Sequence, residues 1–82
     1  MNQISVLFFA TLRDLTGERK IVKTIPTDLM ISGLKDLLVL DYPSLQSIMN
    51  SVIVAMNHEF AFNETVIVAN AEIALFPPVS GG

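Results

Sequence analysis

Residues 26–40 read PTDLMISGLKDLLVL, the longest amphipathic stretch of the chain. Apolar side chains recur there every three or four residues, which is the period of an α-helix with one buried face. The stripe consists of Met30, Leu34, Leu37 and Leu38. The pattern predicts one main helix over residues 28–40. Because one helix covers only one face of a sheet, we expect the strands around it to leave their other face open.

Local signals mark both ends of this helix. The Thr27 side chain can cap free backbone N–H groups, and Asp28 complements the positive end of the helix dipole. Tyr42 precedes a proline and therefore avoids the helical region, so we expect the helix to stop there. Gly33 inside the helix costs about 1 kcal/mol relative to alanine. We therefore expect close packing at that position.

Strand-forming segments lie on both sides of the helix. Residues 4–12 and 19–25 predict a hairpin, with residues 14–18 as the turn or loop between them. Residues 52–56, 59–62 and 72–76 predict three more strands, the second at a sheet edge, with a tight turn at Asn57-His58. Residues 64–71 fit either a strand or a loop. The order β-β-α-β-β-β predicts an α+β fold over residues 1–76, in which a mixed sheet of about five strands packs on one main helix. We expect Leu7 and Phe9 to lie on the face of the sheet that the helix does not cover.

The chain ends in FPPVSGG, residues 76–82. Pro77 and Pro78 stiffen the exit from the last strand, and the glycines end the chain without side chains. The span from Phe76 to Gly82 is about 20 Å when extended, at about 3.3 Å per residue. Such a tail, residues 77–82, can enter a narrow channel in another protein; a frayed chain end is the alternative.

Composition excludes several classes of function. Eighty-two residues indicate one domain, and half of them are hydrophobic, so some apolar surface is left for a partner. The net charge of −3 and five scattered basic residues argue against nucleic acid as a partner. There is no cysteine, and no apolar run approaches the ~20 residues that span a bilayer. We expect a cytoplasmic protein that binds neither a membrane nor a metal.

Side chains offer no conventional active site. His58 is the only histidine and has no nearby partners for a metal, so we interpret it as a turn residue. The serines lack a neighbouring base. The terminal carboxylate of Gly82 is left as the distinctive reactive group, which becomes reactive once it is activated, for example as an acyl-adenylate.

Three segments carry a resemblance to a known family. The segment EIALFPPVSGG, residues 72–82, resembles the C-terminus of the molybdopterin synthase small subunit. The segment VLFFA, residues 6–10, followed by Arg13, resembles the first strand and loop of that family, and Ala55-Met56-Asn57 resembles its third strand and turn. The resemblance implies a ubiquitin-like β-grasp fold and a sulfur carrier that is itself non-catalytic.

The resemblance also implies partners and site residues. An adenylating, E1-like enzyme would use ATP to activate Gly82, and sulfur transfer would give a thiocarboxylate; the chain itself would bind no cofactor. The tail, with Gly81 behind the reactive end, would enter the large subunit of a two-plus-two heterotetramer and donate sulfur to a pyranopterin precursor of molybdopterin. The implied partner-binding residues are Phe9, Arg13, Phe60, Phe76, Pro77 and Pro78.

Alternative interpretations share the Gly-Gly ending. They are a sulfur carrier for another pathway such as thiamine synthesis, a ubiquitin-like modifier joined to lysines, and a purely structural binding module. The chain also departs from the family it resembles, because Asn70-Ala71 stands where a Gly-Asp turn is usual. We expect Asn70 to preserve the turn by adopting the left-handed conformation.

Overall fold

The main helix packs against one face of a five-stranded mixed sheet, as the order of the elements predicted. The computed structural model describes residues 1–78. The strands are β1 (Asn2–Phe8), β2 (Lys20–Ile25), β3 (Ile53–Met56), β4 (Glu59–Ala61) and β5 (Glu72–Phe76), and the helices are α1 (Thr11–Thr16) and α2 (Ile31–Asp41). Short 3₁₀ turns at Pro43–Leu45 and Met49–Ser51 connect α2 to β3.

The strand order across the sheet is β2-β1-β5-β3-β4. The central pair, β1 and β5, is parallel, and the other pairs are antiparallel. The hairpin between β1 and β2 and the edge position of β4 are both confirmed. Because β5 is the middle strand, Pro77 and Pro78 follow directly from the centre of the sheet.

The core lies between α2 and the sheet. Alternate residues of each strand face the helix, so Val6 of β1 and Ile73 of β5 are fully buried opposite each other. Ile31, Leu34 and Leu38 of α2 are buried as well. No polar side chain is buried within residues 1–78. The sheet therefore has one dry, apolar face and one face that no helix covers.

The start of α2 differs from the prediction. The helix begins at Ile31, and no side chain caps it, so the assignment of Thr27 as the cap was wrong. Asp28 lies in the preceding turn with φ 65°, outside the helix. The backbone carbonyl of Thr65 accepts from the Ile31 N–H at 2.9 Å, and that of Asn63 accepts from the Ser32 N–H at 3.0 Å. A distant loop thus satisfies the free N–H groups that every helix start presents.

The end of β1 also needs a correction. The strand stops at Phe8, not at Leu12, and the expected loop over residues 14–18 is largely the short helix α1. Ala10 takes φ 51° and ψ −125°, and the Leu12 N–H donates to the Phe9 carbonyl at 3.0 Å. These angles are those of the first central residue of a type II′ turn, which reverses the chain and buries Leu12.

Met30 does not belong to the buried stripe of α2, because it precedes the helix and is 43% exposed, and Ile31 is buried instead. Further local predictions are confirmed. Asn57 and His58 form the tight turn with φ 52° and 73°, and Asn70 adopts φ 61°. The helix α2 ends at Asp41. A Cβ on Gly33 would lie 2.5 Å from Leu29 Cδ1, which is the close packing expected there. Residues 64–71 form a loop apart from one isolated bridge between Val66 and Met30.

Candidate functional site

The uncovered face of the sheet contains a shallow groove of about 370 Å³. Strand register produces it: Leu7 lies opposite Ala74, Ala74 opposite Ala55, and Ala55 opposite Phe60. The row therefore runs from a large side chain over two methyl groups to another large side chain. The two alanines form the floor of the groove, because they fill so little of the space between Leu7 and Phe60.

One end of the groove is closed by a stacked aromatic pair. The rings of Phe9 and Phe76 have centroids 4.7 Å apart and an interplanar angle of 14°. The Phe9 N–H donates to the Leu75 carbonyl at 3.2 Å, which extends the β1–β5 ladder by one residue. Phe76 is the last residue of β5, and Pro77 and Pro78 follow it directly. The groove thus ends where the C-terminal tail begins.

The opposite end of the groove is polar. His58 Nε2 lies 3.7 Å from Glu72 Oε1. The backbone N–H of Asn57 donates to the Glu72 carbonyl at 2.8 Å, and the Glu72 N–H donates to Asn57 Oδ1 at 2.9 Å. Asn57 therefore fastens the β3–β4 turn to the start of β5 through both its backbone and its side chain. This double contact fixes the polar end relative to the groove floor.

The structure brings together three of the site residues predicted from the sequence. Phe9, Phe60 and Phe76 all line the groove, and Phe60 is 78% exposed. Pro77 is half-buried and Pro78 is exposed. Arg13 is exposed on α1 and does not line the groove. Gly81 and Gly82 lie outside the described residues, so their roles stay predictions.

Leu7 also lines the groove, on the uncovered face where the sequence placed it, but sequence reasoning missed the other lining residues. His58 was interpreted as a turn residue; it does lie in the turn, yet it also lines the groove beside Glu72. Alternation along β5 places Glu72 and Ala74 on the same face as Phe76, and that signal could have found them. Ala55 follows only from the β3–β5 register, which the sequence does not reveal.

The groove is suited to binding an apolar surface of another protein. Its walls and floor are aromatic or aliphatic except at the His58–Glu72 end. Within residues 1–78, no group of three or more His, Cys, Asp or Glu side chains could hold a metal ion. In the same part of the chain, neither helix has the length and apolar character needed to cross a bilayer. Exposed aromatic side chains around a preformed depression are typical of protein-docking sites.

A mixed five-stranded sheet with one main helix on one face and an open second face defines a ubiquitin-like β-grasp protein. Within that class, the chain belongs to the ThiS family, whose model matches residues 6–82. This match confirms the family relationship that the sequence motifs indicated, and it extends over nearly the whole chain.

Named relatives agree with this assignment. The molybdopterin synthase sulfur carrier subunit of Arabidopsis thaliana is 35% identical over 80 residues, which are 98% of this chain and 83% of that protein. The crystal structure of the Haloferax volcanii small archaeal modifier protein 1 is 28% identical with a TM-score of 0.86, covering 96% of this chain and 100% of that one. A complex of subunits 1 and 2 of the molybdopterin-converting factor from Helicobacter pylori also matches, with 20% identity and a TM-score of 0.67. The match covers 98% of this chain and 99% of that one, and it shows that the two share a fold.

Proposed function

We propose that this chain is the sulfur-carrier subunit of a molybdopterin synthase and that the Gly82 carboxylate is the group that carries sulfur. One observation supports this most directly: the aromatic end of the docking groove is the base of the tail, since Phe76 belongs to both. A partner that covers the groove is therefore placed beside the tail. The relatives named as sulfur carrier subunits support the same assignment.

The proposed chemistry takes place on the terminal carboxylate. A carboxylate oxygen of Gly82 attacks the α-phosphate of ATP on an E1-like enzyme, which forms an acyl-adenylate and releases pyrophosphate. A nucleophile that carries sulfur in the oxidation state of sulfide then attacks the acyl carbon, and AMP leaves with the bonding electron pair. The product is a thiocarboxylate. The carrier supplies no catalytic side chain and binds no cofactor in this scheme.

The second half of the proposal is delivery. The large subunit binds the groove, and the tail enters its active site. There the thiocarboxylate sulfur attacks a carbon of the pyranopterin precursor, the C–O bond at that carbon breaks, and the oxygen leaves with the bonding electron pair. Two such transfers supply the two sulfurs of the dithiolene. Hydrolysis of the resulting acyl link by water returns the Gly82 carboxylate. A reach of about 20 Å beyond Phe76, at about 3.3 Å per residue, is enough for a buried site. The subunit 1–subunit 2 complex from Helicobacter pylori is consistent with such a partner.

A reconstituted transfer assay tests the proposal. The full chain and a variant lacking Gly82 are each incubated with the adenylating enzyme, ATP and a sulfur donor, and then with the large subunit and precursor. We expect only the full chain to yield dithiolene product. Both chains should bind the large subunit with similar affinity, because the groove lies within residues 7–76. Product formation by the Gly82-deleted chain would contradict the proposal.

A second candidate function is attachment to other proteins. The likeness to the Haloferax volcanii small archaeal modifier protein 1 favours it, since the same activated Gly82 could be attacked by a lysine amine. Isopeptide-linked adducts of this chain in a cell extract would support that function. The two functions share the activation step and differ in the nucleophile that follows.

A further inference from the structure

Glu72 places a carboxylate at the polar end of the apolar groove. Alternation along β5 puts Glu72 on the uncovered face of the sheet, two positions before Ala74 of the groove floor. It is the only acidic residue that lines the groove within residues 1–78. Glu59 lies on the other face of β4 from Phe60, because neighbouring residues of a strand point in opposite directions. The groove therefore carries a single negative charge in a fixed place.

The contacts of this carboxylate are weak in the part of the chain that the structure describes. The distance of 3.7 Å from His58 Nε2 to Glu72 Oε1 is longer than a hydrogen bond, and the His58 side chain is 88% exposed. Within residues 1–78, the carboxylate accepts no hydrogen bond, and no lysine or arginine lies within ion-pair distance of it. Lys20 lies opposite Leu7 on the uncovered face and does not line the groove. Water is thus the main partner of Glu72 while the groove is open.

The backbone of Glu72 is held firmly even though its carboxylate is not. The Glu72 N–H donates to Asn57 Oδ1 at 2.9 Å, and the Glu72 carbonyl accepts from the Asn57 N–H at 2.8 Å. The Cα atoms of Glu72 and Ala74 are about 7 Å apart, because they are two residues apart on one strand. A group that reaches the carboxylate therefore has a defined position relative to the groove floor.

Covering the groove removes water from this carboxylate, whose side chain is now 45% exposed. Taking a charge out of water is costly unless an opposite charge or hydrogen-bond donors replace the water. A partner surface that is apolar throughout would fit the alanine floor but would leave Glu72 unpaired. A lysine or arginine side chain removes that penalty, and the hydrogen bond that it forms is charge-assisted. Charge complementarity thus identifies the group that fits the polar end.

We infer that the large subunit of the proposed synthase places a lysine or arginine side chain on the Glu72 carboxylate. An apolar side chain of the same subunit fills the floor at Ala55 and Ala74, about 7 Å along the groove. The apolar contact supplies buried area, and the ion pair sets the direction in which the partner lies along the groove. This inference rests on the proposed function, and it adds the chemistry of the partner's contact.

Binding of Glu72→Gln to the large subunit from the same genome tests this inference. Glutamine keeps the size of the side chain and both backbone bonds to Asn57, but it removes the charge. Loss of an ion pair weakens binding, whereas removal of a charge that the partner leaves unpaired strengthens it. We expect the Kd to rise by about tenfold or more and to depend less on salt concentration.

Glu64→Gln is the matched control, because Glu64 is an exposed carboxylate outside the groove. Its Kd should stay within about twofold of the wild type. Glu72→Lys should weaken binding by about a hundredfold or more, since it would place like charges against each other. Thermal unfolding of the three variants verifies that each is folded.

Two results would overturn the inference and leave the proposed function standing. The first is a Glu72→Gln chain that binds the large subunit as tightly as the wild type, or more tightly, while the wild type still delivers sulfur. The second is a wild-type homodimer that Glu72→Gln dissociates, because the cation would then belong to a second copy of this chain. If the wild-type chain does not bind the large subunit at all, the proposed function fails and the inference fails with it.

Discussion

The Phe9–Phe76 stack is the contact that joins the open face of the sheet to the base of the tail. With centroids 4.7 Å apart and near-parallel rings, the pair should contribute about 0.5–1.5 kcal/mol beyond simple burial. Phe9 is 40% exposed, so we expect the lower part of that range, about 0.5–1 kcal/mol. For a chain of this size, this coupling corresponds to a Tm change of roughly 2–8 °C.

A double-mutant cycle measures this coupling. Phe9→Ala, Phe76→Ala and the double variant are unfolded with urea, and the coupling is the double-variant loss minus the sum of the single losses. The stack predicts that the double variant loses about 0.5–1 kcal/mol less than that sum. A matched cycle with Phe9 and Phe62 is the control. Among residues 1–78 these two rings do not pair with each other, so the losses of unfolding free energy in the two single variants should add up to that of the double variant. Additivity of the Phe9 and Phe76 losses would refute the reasoning.

Substitutions at three further positions test other parts of the structure. Ala74→Phe places a large side chain on the groove floor. The unfolding free energy should stay within about 1 kcal/mol of the wild type. Binding to the large subunit, measured by calorimetry, should weaken by about tenfold or more. Asn57→Ala removes the acceptor of the Glu72 N–H and places alanine at φ 52°, so it should cost about 2 kcal/mol in urea unfolding. Asn57→Gly, which tolerates that φ, should cost less, and equal losses would contradict the role of the backbone angle. Ala10→Gly relieves a positive φ and should stabilise the fold by about 1 kcal/mol, whereas a lower Tm would show that Ala10 is unstrained.

Much of the fold follows from local sequence patterns. The helical stripe of α2, the β-branched run of β3 and the Asn57-His58 turn each specify their structure within a few residues, because periodicity and turn chemistry are local. The start of α2 was mispredicted for a physical reason. Its N–H groups bond to carbonyls of the loop around Thr65, and no local pattern indicates a backbone acceptor so far along the chain.

The site was partly predictable. Alternation along the first strand placed Leu7 and Phe9 on the uncovered face, whereas Phe60 and Phe76 were indicated by the resemblance to a known family. Ala55 and Ala74 form the groove because of strand register, and an alanine carries no distinguishing signal. The type II′ turn at Ala10 was also hidden, since that conformation usually selects glycine. The positions of these residues depend on pairing between strands that are far apart in sequence, and this pairing is visible only in the folded chain.

The mass of the intact protein purified from cells tests the central claim most directly. The account predicts a fraction heavier by the difference between one sulfur and one oxygen atom, and fragmentation should assign the added mass to Gly82. Disruption of the adenylating enzyme should remove that fraction. A chain that carries only a carboxylate, even when the adenylating enzyme, ATP and a sulfur donor are supplied, would contradict the assignment as a sulfur carrier.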